Sequence, residues 1–211
     1  MPDDAAPGAL ELTETARWFS GKSFTTDWVT WNFPLWMKLF DPWRDHPVRV
    51  IEIGSWEGRS ALFFLNFFPR SRVTCIDTFA GSSEHQDDPQ YSALTPTMEA
   101  RFDANTAEFA GRVEKIKGAS QAVLPQLGIE GRRFDVGYVD GSHRAADVYS
   151  DAVLVWSLIV PNGVLIFDDY EWVGMPSARD RPKPGIDAFL AATQGRYRLL
   201  HQGYQVVLAK S

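Results

Sequence analysis

Residues 48–60 read Val-Arg-Val-Ile-Glu-Ile-Gly-Ser-Trp-Glu-Gly-Arg-Ser, a short apolar run followed by two glycines. Its apolar residues are mostly β-branched and too few for a helix, which indicates a strand that is covered on both faces. A sharp turn follows at Gly54, and a helical pattern begins at Gly58. The free N–H groups and the positive dipole end of that helix would face the carboxyl end of the strand. The stretch therefore predicts a central strand that ends at a small-molecule site.

The spacing of the two glycines separates the nucleotide folds that use such a turn. A dinucleotide fingerprint would continue with glycine at positions 56 and 59, which hold Trp56 and Arg59, and the Gly-Lys-Ser/Thr of a P-loop is absent. The pattern from Glu52, Glu-x-Gly-x-x-x-Gly, resembles the S-adenosylmethionine turn of class I methyltransferases. That resemblance implies that Glu52 and the loop backbone hold the amino acid end of the cofactor. The loop and helix residues that we expect to contact it are Gly54, Ser55, Trp56, Gly58 and Ser60. A tight strand-to-helix turn without a ligand is the alternative.

A second strand, residues 72–77, ends on an acid about twenty residues beyond the first glycines. Because folds of this kind bind the ribose hydroxyls with an acid at that place, we expect Asp77 to be the ribose ligand, with Thr78 beside it. A simple turn cap is the other interpretation of Asp77. Ala119 and Ser120 follow a third strand at the position where this family's third strand ends near the adenine.

Composition restricts the class of protein. The chain has 211 residues, of which 45% are hydrophobic, which favours one globular unit. A net charge of −6 with scattered Lys and Arg disfavours nucleic acid as a substrate. The sequence contains neither a membrane span nor a signal peptide, so we expect a cytoplasmic protein. The single cysteine, Cys75, falls inside a predicted strand, where a buried, inert thiol is expected.

Alternating strand and helix patterns predict the architecture. We expect an α/β fold of the Rossmann-like class I methyltransferase type, with a seven-stranded, mostly parallel sheet, helices on both faces and a terminal antiparallel hairpin. Residues 48–211 would form this cofactor-binding domain. Polar loops are expected at residues 78–95 and 171–184, and the predicted strands are residues 48–53, 72–77, 113–116, 134–140, 164–167, 197–201 and 204–209.

The N-terminal residues 1–47 differ in composition from the rest. Residues 1–9 are small, acidic and rich in proline, which predicts a disordered lead. Nine Trp and Phe residues follow before position 44, so this segment must pack against something. Helical spacing of Trp28, Trp31, Leu35 and Leu39 indicates a helical cap on the sheet. The alternatives are an aromatic wall of the acceptor pocket or the interface of a homo-oligomer.

Three carboxylates follow the fourth and fifth strands. Asp140 ends one strand, and Asp168 and Asp169 end the next. Because the carboxyl ends of parallel strands meet at one edge, these like charges need a counter-ion or raised pKa values. A hard divalent cation such as Mg²⁺ prefers oxygen ligands and meets that need. His143 would overhang the same place, and Asp147, one helical turn further on, could orient its ring.

The motif Asp-Gly-Ser-His, followed by a helix and by a strand that ends in Phe-Asp-Asp-Tyr, resembles the metal-dependent macrocin-type sugar O-methyltransferases. The resemblance covers roughly residues 48–209. It implies that Asp140, Asp168 and Asp169 are metal ligands and that His143 is the catalytic base. Those enzymes often have Glu where this chain has Asp168, which is one methylene shorter.

The sequence thus predicts an S-adenosylmethionine-dependent methyltransferase that methylates, with a divalent metal ion, a hydroxyl of a sugar, a phenol or another small natural product. Asp140 would act in catalysis, at the metal and beside the cofactor. A metal-independent N- or C-methyltransferase and a non-catalytic S-adenosylmethionine-binding protein are the alternatives, and Trp56 disfavours a nicotinamide enzyme.

Overall fold

A seven-stranded sheet forms the centre of the molecule, as the sequence predicted. The structure is a computed structural model that describes residues 15–211, except for the side chains of Ser83 and Glu84. The strand order is β3-β2-β1-β4-β5-β7-β6, and β7 runs antiparallel to both of its neighbours. The strands are β1 (Arg49–Ile53), β2 (Arg72–Asp77), β3 (Val113–Lys117), β4 (Phe134–Val139), β5 (Ile159–Phe167), β6 (Tyr197–Gln202) and β7 (Val206–Lys210).

Helices cover both faces of this sheet. They are α1 (Phe33–Phe40), α2 (Arg59–Phe67), α3 (Ser83–Asp87), α4 (Pro89–Ser92), α5 (Thr95–Thr106), α6 (Ser120–Ile129), α7 (Ala145–Leu158) and α8 (Pro182–Ala192). One apolar core lies between the sheet and α1, α2 and α5, and a second lies between the sheet and α6, α7 and α8. Residues 15–18 are also helical.

β1 shows why the sequence gives a central strand. Val50 faces the first core and Ile51 and Ile53 face the second, because successive side chains of a strand point to opposite faces. Parallel pairing with β2 on one side and β4 on the other satisfies its backbone. Cys75, on β2, is fully buried, as expected for an inert thiol.

The strand ends that carry the predicted site are level with one another. Ile53 pairs with Ile76 of β2 and with Val139 of β4, and Val139 in turn pairs with Phe167 of β5. Backbone hydrogen bonds extend this alignment past the strands, because Asp140 N donates to Ile53 O at 2.9 Å. The residues that follow these strands therefore meet at one edge of the sheet.

Three predicted boundaries were wrong. β5 begins at Ile159, five residues before the predicted strand of residues 164–167. It includes Asn162, which has a φ of +63°, and its pairing with β4 is irregular. The loop of residues 78–95 contains α3 and α4, one or two turns each. In the loop of residues 171–184, α8 begins at Pro182, since proline at the first helical position has the backbone angle that a helix needs.

The Trp-rich segment packs on the sheet, but with a different face from the one predicted. α1 buries Phe33, Trp36 and Phe40, whereas Trp28 and Trp31 precede it and are 42% and 55% exposed. Pro34 explains the difference, because it fixes the start of the helix and separates the two tryptophans from Leu35 and Leu39. The predicted disordered lead, residues 1–9, lies outside the described residues. Among the helices of residues 15–211, none has the length and apolar character needed to cross a bilayer.

Candidate active site

A cavity of about 340 Å³ opens at the carboxyl ends of β1, β2 and β4. Its volume is within the range of pockets that hold small molecules. Of the residues predicted to form the site, eight line the cavity: Gly54, Trp56, Asp77, Thr78, Ala119, Ser120, Asp140 and His143. The other six are not among its described lining residues: Glu52, Ser55, Gly58, Ser60, Asp168 and Asp169.

The glycine turn is required first of all by packing. Gly54 has a φ of +83°, and a Cβ atom there would lie 2.0 Å from the backbone oxygen of Asp140. Gly58 also has a positive φ, of +84°, and forms the N-cap of α2. Trp56 adopts a left-handed conformation as well, with a φ of +47°. Such backbone is sparsely populated by bulky residues and is frequent in ligand-binding loops.

Asp77 holds this turn in place. Its Oδ2 accepts hydrogen bonds from the backbone N–H groups of Ser55 and Trp56, both at 2.8 Å, and its Oδ1 accepts one from Phe79 N at 2.6 Å. A carboxylate has about four lone pairs, so three are used and one remains on Oδ1. Asp77 is therefore a turn cap, which was the alternative interpretation, and it also faces the cavity with one lone pair free for a ligand.

Glu52 lies beneath the turn, and its side chain is fully buried. Neither carboxylate oxygen has a hydrogen-bond partner among the described residues, and Ser55 Oγ and Trp56 Nε1 are likewise buried without one. Burial raises the pKa of Glu52 from 4.5 to about 7, although Ser55 and Ser60 beside it offset part of the shift. Unsatisfied groups of this kind mark a place where a bound ligand can supply the missing partners.

The three predicted carboxylates converge beside the cavity. The hydroxyl of Tyr138 lies 2.8 Å from Asp140 Oδ2 and also contacts Asp168 Oδ2. Asp168 is 6% exposed and accepts further hydrogen bonds from Gln205 Nε2 at 3.0 Å and, on Oδ1, from its neighbour's backbone N–H at 2.9 Å. Asp169 completes the group with a φ of +61°, a conformation that aspartate tolerates better than most residues.

The side chain of His143 contacts that of Asp169. Its Nε2 lies 2.8 Å from Asp169 Oδ2, and Tyr204 donates to the other oxygen of that carboxylate at 2.7 Å. Ligand atoms of Asp140, His143 and Asp169 all lie within 4.8 Å of one another, a spacing that could hold a metal ion. Among the described residues this group contains two of the three predicted ligands, and Asp168 is not part of it. Asp147, which was expected to orient the ring of His143, accepts a hydrogen bond from Ser142 Oγ at 2.8 Å. The carboxylate in contact with Nε2 of His143 is therefore that of Asp169.

Burial and neighbouring charges shift the pKa values of this cluster in opposite directions. Burial, and then the carboxylates of Asp168 and Asp169, raise the pKa of Asp140 well above its ordinary value. Burial, and then Asp169, raise the pKa of Asp168 to about 7. Burial acts on Asp169 too, but its pKa is lowered because the hydrogen bond and charge of His143 outweigh that cost. Like charges held this close raise one another's pKa, and a bound cation would relieve their repulsion.

Several residues of the site had no signal in the motif analysis. Tyr138 links the carboxylates of Asp140 and Asp168, and Gln205 contacts Asp168. Both are polar residues in or beside apolar strands, which is the only sequence signal they offer. Trp28 lines the cavity and stacks on His85 with ring centroids 5.4 Å apart. Ser120 uses its hydroxyl to donate to Asp151 at 2.6 Å. Trp28 of the N-terminal segment therefore lines the cavity, and the aromatic wall of an acceptor pocket stays a prediction.

The strand order, the glycine turn after β1 and the acid at the end of β2 are those of the class I methyltransferase fold. A family model described as a methyltransferase domain matches residues 51–170. The chain belongs to this methyltransferase domain family, which confirms the class that the sequence predicted.

Similar proteins include O-methyltransferases. The chain is 27% identical over 170 residues to mycinamicin VI 2''-O-methyltransferase from Micromonospora griseorubida, a match that covers 77% of this chain and 36% of that protein. The chain thus spans little more than a third of the length of this curated relative.

Solved structures show the same fold. The MycE methyltransferase from the mycinamycin biosynthetic pathway, in complex with Mg, SAH and mycinamycin VI, matches with a TM-score of 0.63 at 20% identity, covering 94% of this chain and 54% of that one. The O-methyltransferase from Bacillus cereus in complex with SAH matches with a TM-score of 0.59 at 18% identity, covering 99% and 94%.

Proposed function

We propose that this chain transfers the methyl group of S-adenosylmethionine to a hydroxyl oxygen of a small molecule, with the help of a divalent cation. One observation carries the proposal: a cavity of ligand size lies beside Asp140, His143 and Asp169, whose ligand atoms are within 4.8 Å of one another at one edge of the sheet. The 2''-O-methyltransferase from Micromonospora griseorubida and the Mg and SAH complexes of MycE support it by similarity.

Residues around the glycine turn fit the cofactor. Glu52 and the loop of Gly54, Ser55 and Trp56 would hold its amino acid end, where buried polar groups lack partners among the described residues. Asp77 would bind a ribose hydroxyl through its remaining lone pair on Oδ1, with Thr78 beside it. In addition, Ala119 and Ser120 would line the adenine end, since both face the same cavity. Gly58 and Ser60 start the helix whose N-terminus points at this loop.

The acidic cluster fits a hard divalent cation. Asp140, Asp168 and Asp169 offer only oxygen donors, which Mg²⁺ prefers, and their mutual repulsion favours binding of positive charge. S-adenosylmethionine supplies an activated methyl group, and a bound cation supplies positive charge that lowers the pKa of an acceptor hydroxyl. His143 is assigned as the base, because an imidazole is a poorer Mg²⁺ ligand than a carboxylate.

His143 would take the proton of the acceptor hydroxyl. The carboxylate of Asp169 at 2.8 Å from Nε2 stabilises the imidazolium that forms and holds the ring in place. General base catalysis of this kind contributes roughly 10² to 10⁴ in rate, and correct alignment of the reacting atoms contributes about 7–11 kcal/mol.

The acceptor is expected to be small, hydroxylated and partly apolar. Trp28 lines the cavity, and Trp31 packs edge-on against Tyr204, whose hydroxyl donates to Asp169. An apolar face of the acceptor could lie on these exposed rings while a hydroxyl reaches the acidic cluster. A sugar, a phenol and another natural product all meet this description.

The test is transfer of a radiolabelled methyl group from S-adenosylmethionine to a panel of hydroxylated acceptors. Label should enter an acceptor with Mg²⁺, disappear with a chelator and return when Mg²⁺ is added in excess. His143→Ala should lose about 10²-fold or more in turnover while its affinity for the cofactor stays unchanged. His46→Ala, at an exposed position, is the matched control.

Other outcomes identify the rival functions. Transfer that persists with the chelator would favour a metal-independent N- or C-methyltransferase. Cofactor binding without transfer to any acceptor would favour a non-catalytic S-adenosylmethionine-binding protein. Unchanged turnover in His143→Ala would contradict its role as base.

A further inference from the structure

Gln205 connects the acidic cluster to the N-terminal aromatic segment. It directly precedes β7 and is 1% exposed. Its Nε2 donates to Asp168 Oδ2 at 3.0 Å, and its Oε1 accepts a hydrogen bond from Trp36 Nε1 at 2.7 Å. Trp36 is fully buried on α1 and packs edge-on against Tyr138, which contacts the same Asp168 oxygen.

The two hydrogen bonds that connect Trp36, Gln205 and Asp168 can run in only one direction. An indole N–H can donate but cannot accept, so the amide oxygen of Gln205 must face Trp36. The amide NH₂ then faces Asp168 and donates to its Oδ2. Trp36 therefore fixes the amide orientation of Gln205, and Gln205 fixes one oxygen of Asp168.

Counting lone pairs shows what remains for a cation. Asp168 Oδ2 accepts from Gln205 and shares the single hydroxyl proton of Tyr138 with Asp140, and Oδ1 accepts the backbone N–H of Asp169. One lone pair of Oδ1 is therefore left for a cation. The position of that lone pair depends on how Oδ2 is held.

We propose that Gln205 is a positioning residue for the metal site, which orients Asp168 through Oδ2 and is itself oriented by Trp36. The inference rests on the proposed function, because it assigns Asp168 to a cation. This role connects α1 to the site through the buried hydrogen bond between Trp36 and Gln205. The competing explanation is structural: Gln205 would merely satisfy the buried N–H of Trp36.

Metal affinity distinguishes the two explanations without any acceptor. Mn²⁺ binding is measured by electron paramagnetic resonance of the free ion, for the wild type, Gln205→Met, Trp36→Phe and the double variant. Met keeps much of the length of Gln205 but removes its polar groups, and Phe keeps a ring at position 36 but removes the N–H. Trp156→Phe, in the opposite core, is the control for loss of a buried indole.

Gln205→Met is expected to weaken Mn²⁺ binding by about 10- to 100-fold, the range seen when residues that orient metal ligands are removed. Trp36→Phe should weaken it in the wild-type background but add nothing in Gln205→Met, because both act through the same hydrogen bonds. Trp156→Phe should bind Mn²⁺ as the wild type does. Thermal unfolding and calorimetric titration with S-adenosylmethionine in the absence of metal show that each variant is folded.

Wild-type affinity for Mn²⁺ in a folded Gln205→Met variant overturns the inference. So does an additive effect of Trp36→Phe, which would mean that Trp36 acts independently of Gln205. A wild-type protein that binds S-adenosylmethionine but no Mn²⁺ also overturns it, while cofactor binding remains. Absence of cofactor binding would instead contradict the proposed function itself.

Discussion

At the scale of single residues, Glu52 makes the stability of the fold depend on pH. Burial raises its pKa from 4.5 to about 7. Between these values the folded protein holds a proton that the unfolded chain has lost, so stability falls as the pH rises through this window. Above it, the ionised carboxylate costs about 3 kcal/mol.

Glu52→Gln removes this titration. We expect the free energy of unfolding of the variant, relative to the wild type, to increase by about 2 to 3 kcal/mol between about pH 5 and about pH 8, without cofactor. Urea denaturation at both pH values measures it. Other buried acids titrate in both proteins and cancel in the comparison. A difference that is the same at both pH values would contradict the assignment.

Gly54 and Gly21 form a matched pair for testing the strand-end packing. Both have a positive φ, so alanine at either position costs roughly 1–2 kcal/mol from backbone conformation alone. A Cβ at Gly54 would also overlap the backbone oxygen of Asp140, whereas a Cβ at Gly21 meets nothing within 4 Å.

Gly54→Ala should therefore lose several kcal/mol more than Gly21→Ala, because strand-end backbone cannot move as a side chain can. Chemical denaturation gives both values, and circular dichroism shows whether Gly54→Ala folds. Equal losses would mean that conformation, and not packing against Asp140, explains the glycine.

Residue types at the site were more predictable than their contacts. The ends of strands in the sequence identified Asp77, Asp140, Asp168 and Asp169, because parallel strands bring their ends together. The same pattern could not show that Asp77 uses three lone pairs on the turn backbone. Nor could it find Gln205, whose contact with Asp168 joins residues 37 positions apart through side-chain packing.

Among the helices, α1 packs in the first apolar core, which it shares with α2, α5 and the sheet. Trp36 is fully buried, whereas Trp31 is 55% exposed. Removing a large buried aromatic side chain costs about 3–5 kcal/mol, because the cavity left behind collapses only in part. We expect Trp36→Ala to lose stability in this range and Trp31→Ala to lose less than about 1 kcal/mol. Urea denaturation compares the two, and similar losses would contradict the packing of α1.

The predicted helical stripe in this segment shows why spacing alone was insufficient. Trp28, Trp31, Leu35 and Leu39 have helical spacing in the sequence, yet only the last two lie in α1. Proline near the start of the helix interrupts the phase, and the buried face consists of other residues. The aromatic content predicted burial correctly, but the start of the helix decides which rings are buried.

Across the whole molecule, the order of the strands decides which strand ends are neighbours at the edge of the sheet. β1 lies between β2 and β4, and β5 follows β4, so the glycine turn and the acidic cluster lie on neighbouring strand ends. Alternating patterns along the chain were sufficient to predict this sheet and its antiparallel end. Lengths of strands were less predictable, because β5 continues through a proline and a left-handed asparagine that usually indicate a turn.

Calorimetric titration of the purified protein with S-adenosylmethionine, beside Asp77→Ala and the exposed control Asp180→Ala, tests whether the cavity binds the cofactor. One site of micromolar affinity is expected in the wild type and in Asp180→Ala. Asp77→Ala should lose most of this affinity, because the turn loses its cap and the ribose loses its acceptor. No binding by the wild type, with Mg²⁺ or with chelator, would contradict the account.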